Sequence, residues 1–528
     1  MKVLVTEPLS ESGLQLLRQE LEVDVRPELS KQGLPEAIGP YDGLIVRSQT
    51  KVTEEVLDRA QVLKVIGRAG IGLDNVDVEA ATRRGITVVN APQSNIISAA
   101  EHTIALLLAQ ARNIPQADAA LRAGKWERER FQGVELHGKT IGVVGLGRVG
   151  AMVAQRALAF GMRVIAFDPY VSRERAKSLG VELTPNLEAL LVQADFVTIH
   201  LPRTPETEGL IGERELALMK EGARLINTAR GGLVDERALV NAIRDGKLAG
   251  AALDVFATEP VPQANPLLRF DHVVVTPHLG ASTREAQDKA GSAIAEMVRL
   301  ALRGEFVPYA VNVQAAGEVS ELVRPFLGLS EKLGAILTGL AGAPMRTLEA
   351  EYVGQIAEHD TRVLTLAALK GALSPVVHEP VSFVNAPVLA RERGLSVSER
   401  KTSASRDYVN LLTLRSETEA EEVAVSGTVV GKRDGERLVR VWGFELDMAP
   451  ARYMAFFLYE DRPGVIGAVG TLLGKAEVNI ASMEVGRREA GGAALMGLTV
   501  DSPIPPKVLS TIESKIGAQR ARSLVLPS

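Results

Sequence analysis

The 528-residue chain reads as an α/β protein of two doubly wound parallel-sheet domains, one inserted into the other, followed by two α+β domains. Three observations carry this reading. From Lys2 to about Gly280 short β-branched runs alternate with helical patterns, the mark of βαβ units whose parallel sheets are buried on both faces. These runs (VLV, LIV, VIG, ITVV, IGVVG, VIAF, FVTIH, RLIN, AALDV, VVVTPH) are too many for one sheet. From Arg452 onward the pattern changes to strand, turn, helix, strand, strand, helix, strand, a βαββαβ order that describes a small ferredoxin-like module.

The boundaries follow from two long helical stretches. Ser98–Arg112 (SAAEHTIALLLAQAR) has a broad apolar face, with Ser98 and Glu101 at capping-box spacing. Ser282–Gly304 is equally long and amphipathic. Helices of this length, one on each side of the central strands, predict crossings between domains. The expected division is a discontinuous substrate domain over 1–97 and 291–313, a dinucleotide domain over 98–290, an intervening α+β domain over 314–451 and a terminal module over 452–528. In the third region a helix is expected over Pro325–Leu340, with strands near Thr347–Val353, Ser382–Val384, Tyr408–Leu414 and Val423–Val429.

Composition narrows the chemistry. With 46% hydrophobic and 24% charged residues the chain is an ordinary globular one, and a net charge of -5 argues against nucleic acid or an anionic membrane as partner. The first apolar run, Val3–Val5, is cut short by Glu7 and Pro8, so no signal peptide and a cytoplasmic location are expected. Zero Cys excludes disulfides and thiolate chemistry, and the seven His contain no HExxH pair, so no metal site is expected. Chemistry must come from acids, bases, arginines and a bound cofactor.

Thr140–Gly150 (TIGVVGLGRVG) places Gly145, Gly147 and Gly150 as GxGxxG between a β-branched strand and a helical run. The first glycine permits the tight turn, the second lets pyrophosphate approach the backbone and the third lets helix pack on strand. Asp168 closes the next strand, where an acid accepts hydrogen bonds from the ribose diol and repels a 2′-phosphate, favouring NAD over NADP. The same residue also suits a cap before Pro169.

Three further segments, NTARGGLVDE (Asn227–Glu236), ALDVFATEP (Ala252–Pro260) and TPHLGAST (Thr276–Thr283), each follow a predicted strand. Together with the glycine turn they resemble the signature set of the D-2-hydroxyacid dehydrogenases. The resemblance implies an NAD-dependent enzyme in which Arg230 clamps the substrate carboxylate, His278 is the acid/base and Glu259 orients the far imidazole nitrogen. It also implies cofactor contacts from Arg148, Val149, Leu201, Thr228, Ala229, Arg230, His278, Gly280 and Ala281. Asp254 reads equally as a nicotinamide-side contact or a strand-end cap.

At the substrate end, RAGIGLDNVD (Arg68–Asp77) offers a glycine-rich turn whose N–H groups, at Ala69 and Gly70, can hold a carboxylate. The resemblance adds Asn95, and Arg47, Arg68 and Arg128 match positions that meet the phosphate in members acting on 3-phosphoglycerate. Glu127 and Glu129 flank Arg128 and weaken its field. EDRPGVIGAVGTLLGKAEVNI (Glu460–Ile480) looks like the opening of an ACT domain, implying L-serine as effector at Tyr459, Asp461, Gly464 and Asn479, in a homodimer or homotetramer. SFVNAPVLARERGL and VSGTVVG resemble the intervening domain of the longest members. A basic anion site there is not expected, because VWGFELDMAP carries Glu445 and Asp447. Two other readings stand beside this one. They are a dehydrogenase for another D-2-hydroxy acid, against which the extra C-terminal domains argue, and an NAD-sensing regulator without turnover, against which Arg230, Glu259 and His278 argue.

Overall fold

The computed structural model describes residues 1–313, 319–377, 381–405, 407–419, 421–431, 435–489 and 491–526. Five parallel strands, β1 (Lys2–Val5), β2 (Glu22–Val25), β3 (Gly43–Val46), β4 (Val65–Arg68) and β5 (Thr87–Asn90), form a sheet in the order β2-β1-β3-β4-β5. A second parallel sheet, order β12-β11-β10-β9-β6-β7-β8, holds seven. They are β6 (Thr140–Val144), β7 (Arg163–Phe167), β8 (Glu182–Leu183), β9 (Phe196–Ile199), β10 (Ala223–Asn227), β11 (Leu248–Leu253) and β12 (Val273–Val275). Central strands such as β3, β6 and β9 are buried along their whole length, as a parallel sheet covered on both faces requires.

Two crossover helices join these sheets. The first, Ile96–Ala111, leaves the first sheet after β5; the second, Arg284–Leu302, returns from β12 and packs over β4, with Ile294 and Val298 against Gly67. Beyond it the chain comes back to β5, where Asn312 Oδ1 accepts from Val88 N at 2.9 Å and its Nδ2 donates to Ile86 O at 2.9 Å. The expected start of the intervening domain at 314 falls outside the described residues.

The third sheet is mixed, in the order β14-β13-β15-β16-β17-β18. Its strands are β13 (Thr347–Gly354), β14 (Ser396–Thr402), β15 (Asn410–Glu417), β16 (Glu422–Val430), β17 (Gly435–Val441) and β18 (Phe444–Met448), and only β13 and β14 pair in parallel. Helices Phe326–Ala341 and Arg362–Leu373 cover it. The fourth sheet is antiparallel, order β20-β21-β19-β22, made of β19 (Tyr453–Glu460), β20 (Ile480–Arg487), β21 (Ala493–Val500) and β22 (Arg520–Val525). Helices Val465–Lys475 and Pro506–Ile516 lie on one face of it and complete the βαββαβ order. Side chains alternate along β19. Ala455, Phe457 and Tyr459 join the core under these helices, and Met454, Phe456 and Leu458 enter a core shared with Leu329, Leu333 and Leu340 of Phe326–Ala341. The open sheet face of the last module is thus covered by the intervening region, and that same apolar core runs on to Ile294 and Val298 and the first sheet.

Several local expectations are corrected. Ser98 does not cap: the helix begins two residues earlier at Ile96, and Ser98 Oγ instead meets Thr283 Oγ1, at the start of the second crossover helix, at 2.7 Å. Ser382–Val384 is not a strand. Ser382 N donates to Asn385 Oδ1 at 2.7 Å, closing a turn that starts helix Ala386–Glu392 with its early proline. Strand β2 (EVDV) and the two-residue β8 escape hydrophobic patterning because they are partly exposed edges. The exposed edge β14 and the pair β17 and β18 were also not anticipated. Arg437 and Arg440 of β17 face Asp447 at 3.4 Å and Glu445 at 3.5 Å, so carboxylates already occupy those guanidiniums.

Candidate active site

The glycine turn follows β6. Gly145 lies at φ +93°, and a Cβ there would stand 2.6 Å from His200 O; a Cβ at Gly150 would collide with the carbonyl of Gly145. Packing within the protein therefore requires both glycines. At Gly147, the N-cap of helix Arg148–Ala159, a Cβ would meet nothing within 4 Å. That leaves open ground before free helix N–H groups, the setting in which a pyrophosphate sits, so the residues fit a dinucleotide. Arg148 is exposed and Val149 half-buried in the first turn, and Leu201 lies against Gly145. Asp168, at the end of β7, accepts from Leu146 N at 2.8 Å and Tyr170 N at 2.9 Å. Its carboxylate ties the glycine turn to its own turn, so the capping contact exists beside any ribose contact. His200, half-buried behind this turn, is pushed down to about 4 by desolvation and is neutral at pH 7.

Arg230 follows β10. Asn227 shapes its turn by donating from Nδ2 to Arg230 O at 2.9 Å and accepting from Ala229 N at 3.1 Å, while Thr228 Oγ1 meets Thr103 Oγ1 at 2.7 Å. The Arg230 guanidinium donates to Ala229 O at 2.7 Å and lies 3.5 Å from Asp74. After β11 comes Asp254, fully buried, which accepts from Leu279 N at 2.7 Å and Gly280 N at 2.8 Å. Burial opposes its charged form, but hydrogen bonds from His102, Thr276 and Leu279 outweigh that and lower its pKa. The strand-end cap is therefore its observed contact set. Ala281, half-buried, continues the turn.

His278 Nδ1 stands 2.7 Å from Glu259 Oε2, and Glu259 Oε1 accepts from Phe256 N at 3.0 Å. The Glu259 hydrogen bond raises the imidazole pKa against the opposing effect of burial; burial likewise acts against Glu259, but its bond to His278 prevails and lowers its pKa. Nε2 of His278 has no protein partner among the described residues, and Arg230 is close enough to bear on its charge.

A cationic cluster faces this pair from the first sheet. Burial lowers Arg68 to about 10, and the neighbouring charges of Arg230 and Arg47 push in the same direction. Three guanidiniums are thus gathered, with Arg68 Nε buried and unpaired. Glu7 holds the turn after β3 by accepting from Arg47 N at 2.9 Å and Thr50 N at 2.9 Å. The N–H groups of Ala69 and Gly70 are already bonded, to Val46 O at 2.9 Å and Arg68 O at 2.8 Å, so they do not form the expected carboxylate nest. Among the described residues the N–H groups from Ile71 to Asn75 in this turn are unbonded, and a Cβ at Gly72 would stand 2.5 Å from Arg230 Nη2. Asn95, at the start of the first crossover helix, has a buried Oδ1 with no partner. Arg128 is not brought to the cluster; it is exposed on the turn Arg128–Phe131.

In the terminal module Gly464 lies at φ +88° before helix Val465–Lys475, with open space at its Cβ position. Asp461 is bound by Arg487 at 3.1 Å and Asn479 donates to Asp501 at 2.7 Å. Tyr459 is 2% exposed, its ring in the core, so the surface of this chain does not present it to a ligand as the others are presented. No cluster of three or more His, Asp or Glu among the described residues is placed to hold a metal ion, and no helix is long and apolar enough to cross a membrane. Sequence reading missed His102, Thr103, Thr276 and Asp74. His102 sits mid-helix in an apolar run and signals nothing until Thr276 and Asp254 are seen beside it.

Comparison with known proteins agrees with this geometry. Family models match three segments: the NAD-binding domain of D-isomer specific 2-hydroxyacid dehydrogenase over 104–280, the D-3-phosphoglycerate dehydrogenase intervening domain over 322–442 and the ACT domain over 453–517. D-3-phosphoglycerate dehydrogenase of Methanocaldococcus jannaschii is 45% identical over 513 residues, 97% of each chain. That of Mycobacterium bovis is 47% identical over 519 residues, 98% of each. Among solved structures, the TT0316 protein of Thermus thermophilus is 41% identical with TM-score 0.55, covering 59% of this chain and 100% of its own. A D-lactate dehydrogenase of Aquifex aeolicus complexed with NAD and lactic acid is 30% identical with TM-score 0.52, covering 58% of this chain and 96% of its own.

Proposed function

The chain belongs to the D-3-phosphoglycerate dehydrogenase family, and from that premise we propose how its own side chains oxidise 3-phospho-D-glycerate to 3-phosphohydroxypyruvate, the entry to L-serine synthesis. The observation that carries the reading is the His278–Glu259 pair at 2.7 Å with Nε2 open, set beside Arg230. Gly145, Gly147, Gly150 and Asp168 would hold NAD, with Asp168 disfavouring a 2′-phosphate, and the bound cofactor would supply the hydride acceptor for C2 of the substrate. Arg230 binds the C1 carboxylate through its planar fork, with the free N–H groups of Ile71 and Gly72 alongside. His278 Nε2 takes the C2 hydroxyl proton, and Glu259 stabilises the imidazolium that results. Arg68 and Arg47 gather positive charge where a phosphate dianion would neutralise it, which supports a phosphorylated acid over lactate or glycerate as substrate. The test is purified protein with NAD and a panel of 2-hydroxy acids, with and without a terminal phosphate, followed by NADH absorbance. Turnover should favour the phosphorylated acid; equal turnover of glycerate would remove the phosphate role of Arg47 and Arg68.

The terminal module takes a serine-type ligand at Gly464, Asp461 and Asn479, where helix N–H groups and paired polar side chains suit an amino acid. Such a site is completed between two copies, so a homodimer or homotetramer is the working unit.

A further inference from the structure

His278 keeps its backbone at φ +55°, in a region that a non-glycine residue holds only where its neighbours over-determine it. Thr276 O accepts from His278 N at 3.1 Å, and the remaining backbone contacts of this loop gather on one residue. The carbonyl of Asp254 accepts from His278 N at 2.9 Å, its Oδ1 from Leu279 N at 2.7 Å and its Oδ2 from Gly280 N at 2.8 Å. Three successive N–H groups of the loop that bears the acid/base converge on Asp254, whose side chain is 0% exposed. A carboxylate so buried holds its place only while its oxygens are supplied with donors.

Two more donors come from side chains: Thr276 Oγ1 at 2.6 Å and His102 Nε2 at 3.2 Å. His102 belongs to the first crossover helix, and its Nε2 is also 3.1 Å from Thr276 Oγ1. Because the Thr276 hydroxyl hydrogen goes to Asp254, its oxygen is an acceptor toward His102. Both neighbours of Nε2 are then acceptors, so the network assigns the hydrogen to Nε2. The next residue along the helix, Thr103, meets Thr228 at 2.7 Å in the turn that carries Arg230. Two consecutive side chains of one helix thus brace the base loop and the carboxylate-clamp turn.

We propose that His102 is a positioning residue for the dehydrogenase reaction. Acting through Asp254 and Thr276 it fixes the loop that aims His278 at the substrate hydroxyl, while Thr103 fixes the turn of Arg230. The proposal rests on the roles assigned above to His278 and Arg230. A histidine that merely satisfied a buried helix face would influence folding and nothing finer.

The experiment uses the full-length protein with NAD and 3-phosphoglycerate, and the variants His102→Leu, His102→Gln and Thr103→Val. Loss of the donor in His102→Leu should lower kcat about tenfold or more with KM within about twofold, since misaiming a base costs rate and not binding. The ascending limb of its pH profile should move to lower pH as the imidazole loses part of its contact with Glu259; Asp254 and Arg230 are the other charges facing it. Gln carries an N–H near the position of Nε2 and should recover at least about half of kcat and the normal profile. Thr103→Val should show the complementary split, KM raised several-fold with kcat and pH profile unchanged. The proposal is overturned if His102→Leu keeps kcat within about twofold and the same profile, if Gln is as impaired as Leu, or if the Leu and Val variants show the same split. Should the Leu variant fail to fold, His102→Asn, too short to reach Asp254, takes its place against Gln on the same criteria. Failure of the functional reading is distinguishable, because then His278→Ala itself leaves turnover intact.

Discussion

Nδ1 of His278 and Oε2 of Glu259, nineteen residues apart in sequence, stand 2.7 Å from each other at the ends of neighbouring strands. The carboxylate favours the imidazolium and raises the pKa of His278 above the ordinary 6.5.

Oxidation needs His278 unprotonated, so kcat/KM for 3-phosphoglycerate should rise with pH through a pKa above 6.5, and the reverse reduction should fall over the same range. Glu259→Gln removes the charge that raises this pKa and should move both limbs to lower pH. A profile unmoved by that substitution would detach Glu259 from the base.

His278→Ala should lower kcat by about 10²–10⁴ while leaving NADH binding nearly intact, because the residue handles a proton and not the dinucleotide. Retention of more than about a third of the wild-type rate would sink the assignment of the base. Fluorescence titration of NADH supplies the control.

Arg230→Lys replaces a planar fork by a point charge and should raise KM for the hydroxy acid by about 10–100-fold, the equivalent of a lost charged hydrogen bond. Arg68→Ala should weaken phosphorylated substrates far more than unphosphorylated ones. Steady-state kinetics on 3-phosphoglycerate and glycerate separate the two effects, and equal losses on both substrates would remove Arg68 from the phosphate.

NAD should be preferred to NADP, and Asp168→Ala should narrow the gap. Because Asp168 also holds Leu146 N and Tyr170 N, the variant should lose some thermal stability as well. Equal use of both cofactors by the wild type would leave Asp168 as a cap alone.

L-Serine should bind the terminal module and slow turnover without competing with substrate, through a coupling of about 1–3 kcal/mol. Asn479→Ala should abolish inhibition and spare the uninhibited rate. Phe456→Ala, on the sheet face buried against the intervening region, should cost about 3–5 kcal/mol of stability and blunt the response to serine by loosening that contact. Calorimetry showing no serine binding at millimolar concentration would make the module an assembly element.

What the sequence by itself determined lies within single strand-turn-helix units. The arginine after β10 and the histidine after β12 are legible through the family resemblance of the segments that carry them, while Gly145, Gly147 and Gly150 are legible because local backbone geometry dictates their residue type and spacing. The βαββαβ order of the tail was legible for the same reason. Tertiary structure alone decided the rest. The N–H group of Ala69 turned inward to Val46 O because β3 and β4 lie side by side, and Tyr459 went to the core because β19 is sandwiched between its own helices and Phe326–Ala341. Ser98, a plausible cap by spacing, became a contact with Thr283, and His102, mute in an apolar run, met Thr276 across 174 residues. Such partners are chosen by how whole elements pack, and no periodicity along the chain records which side chain will face which between elements far apart in sequence.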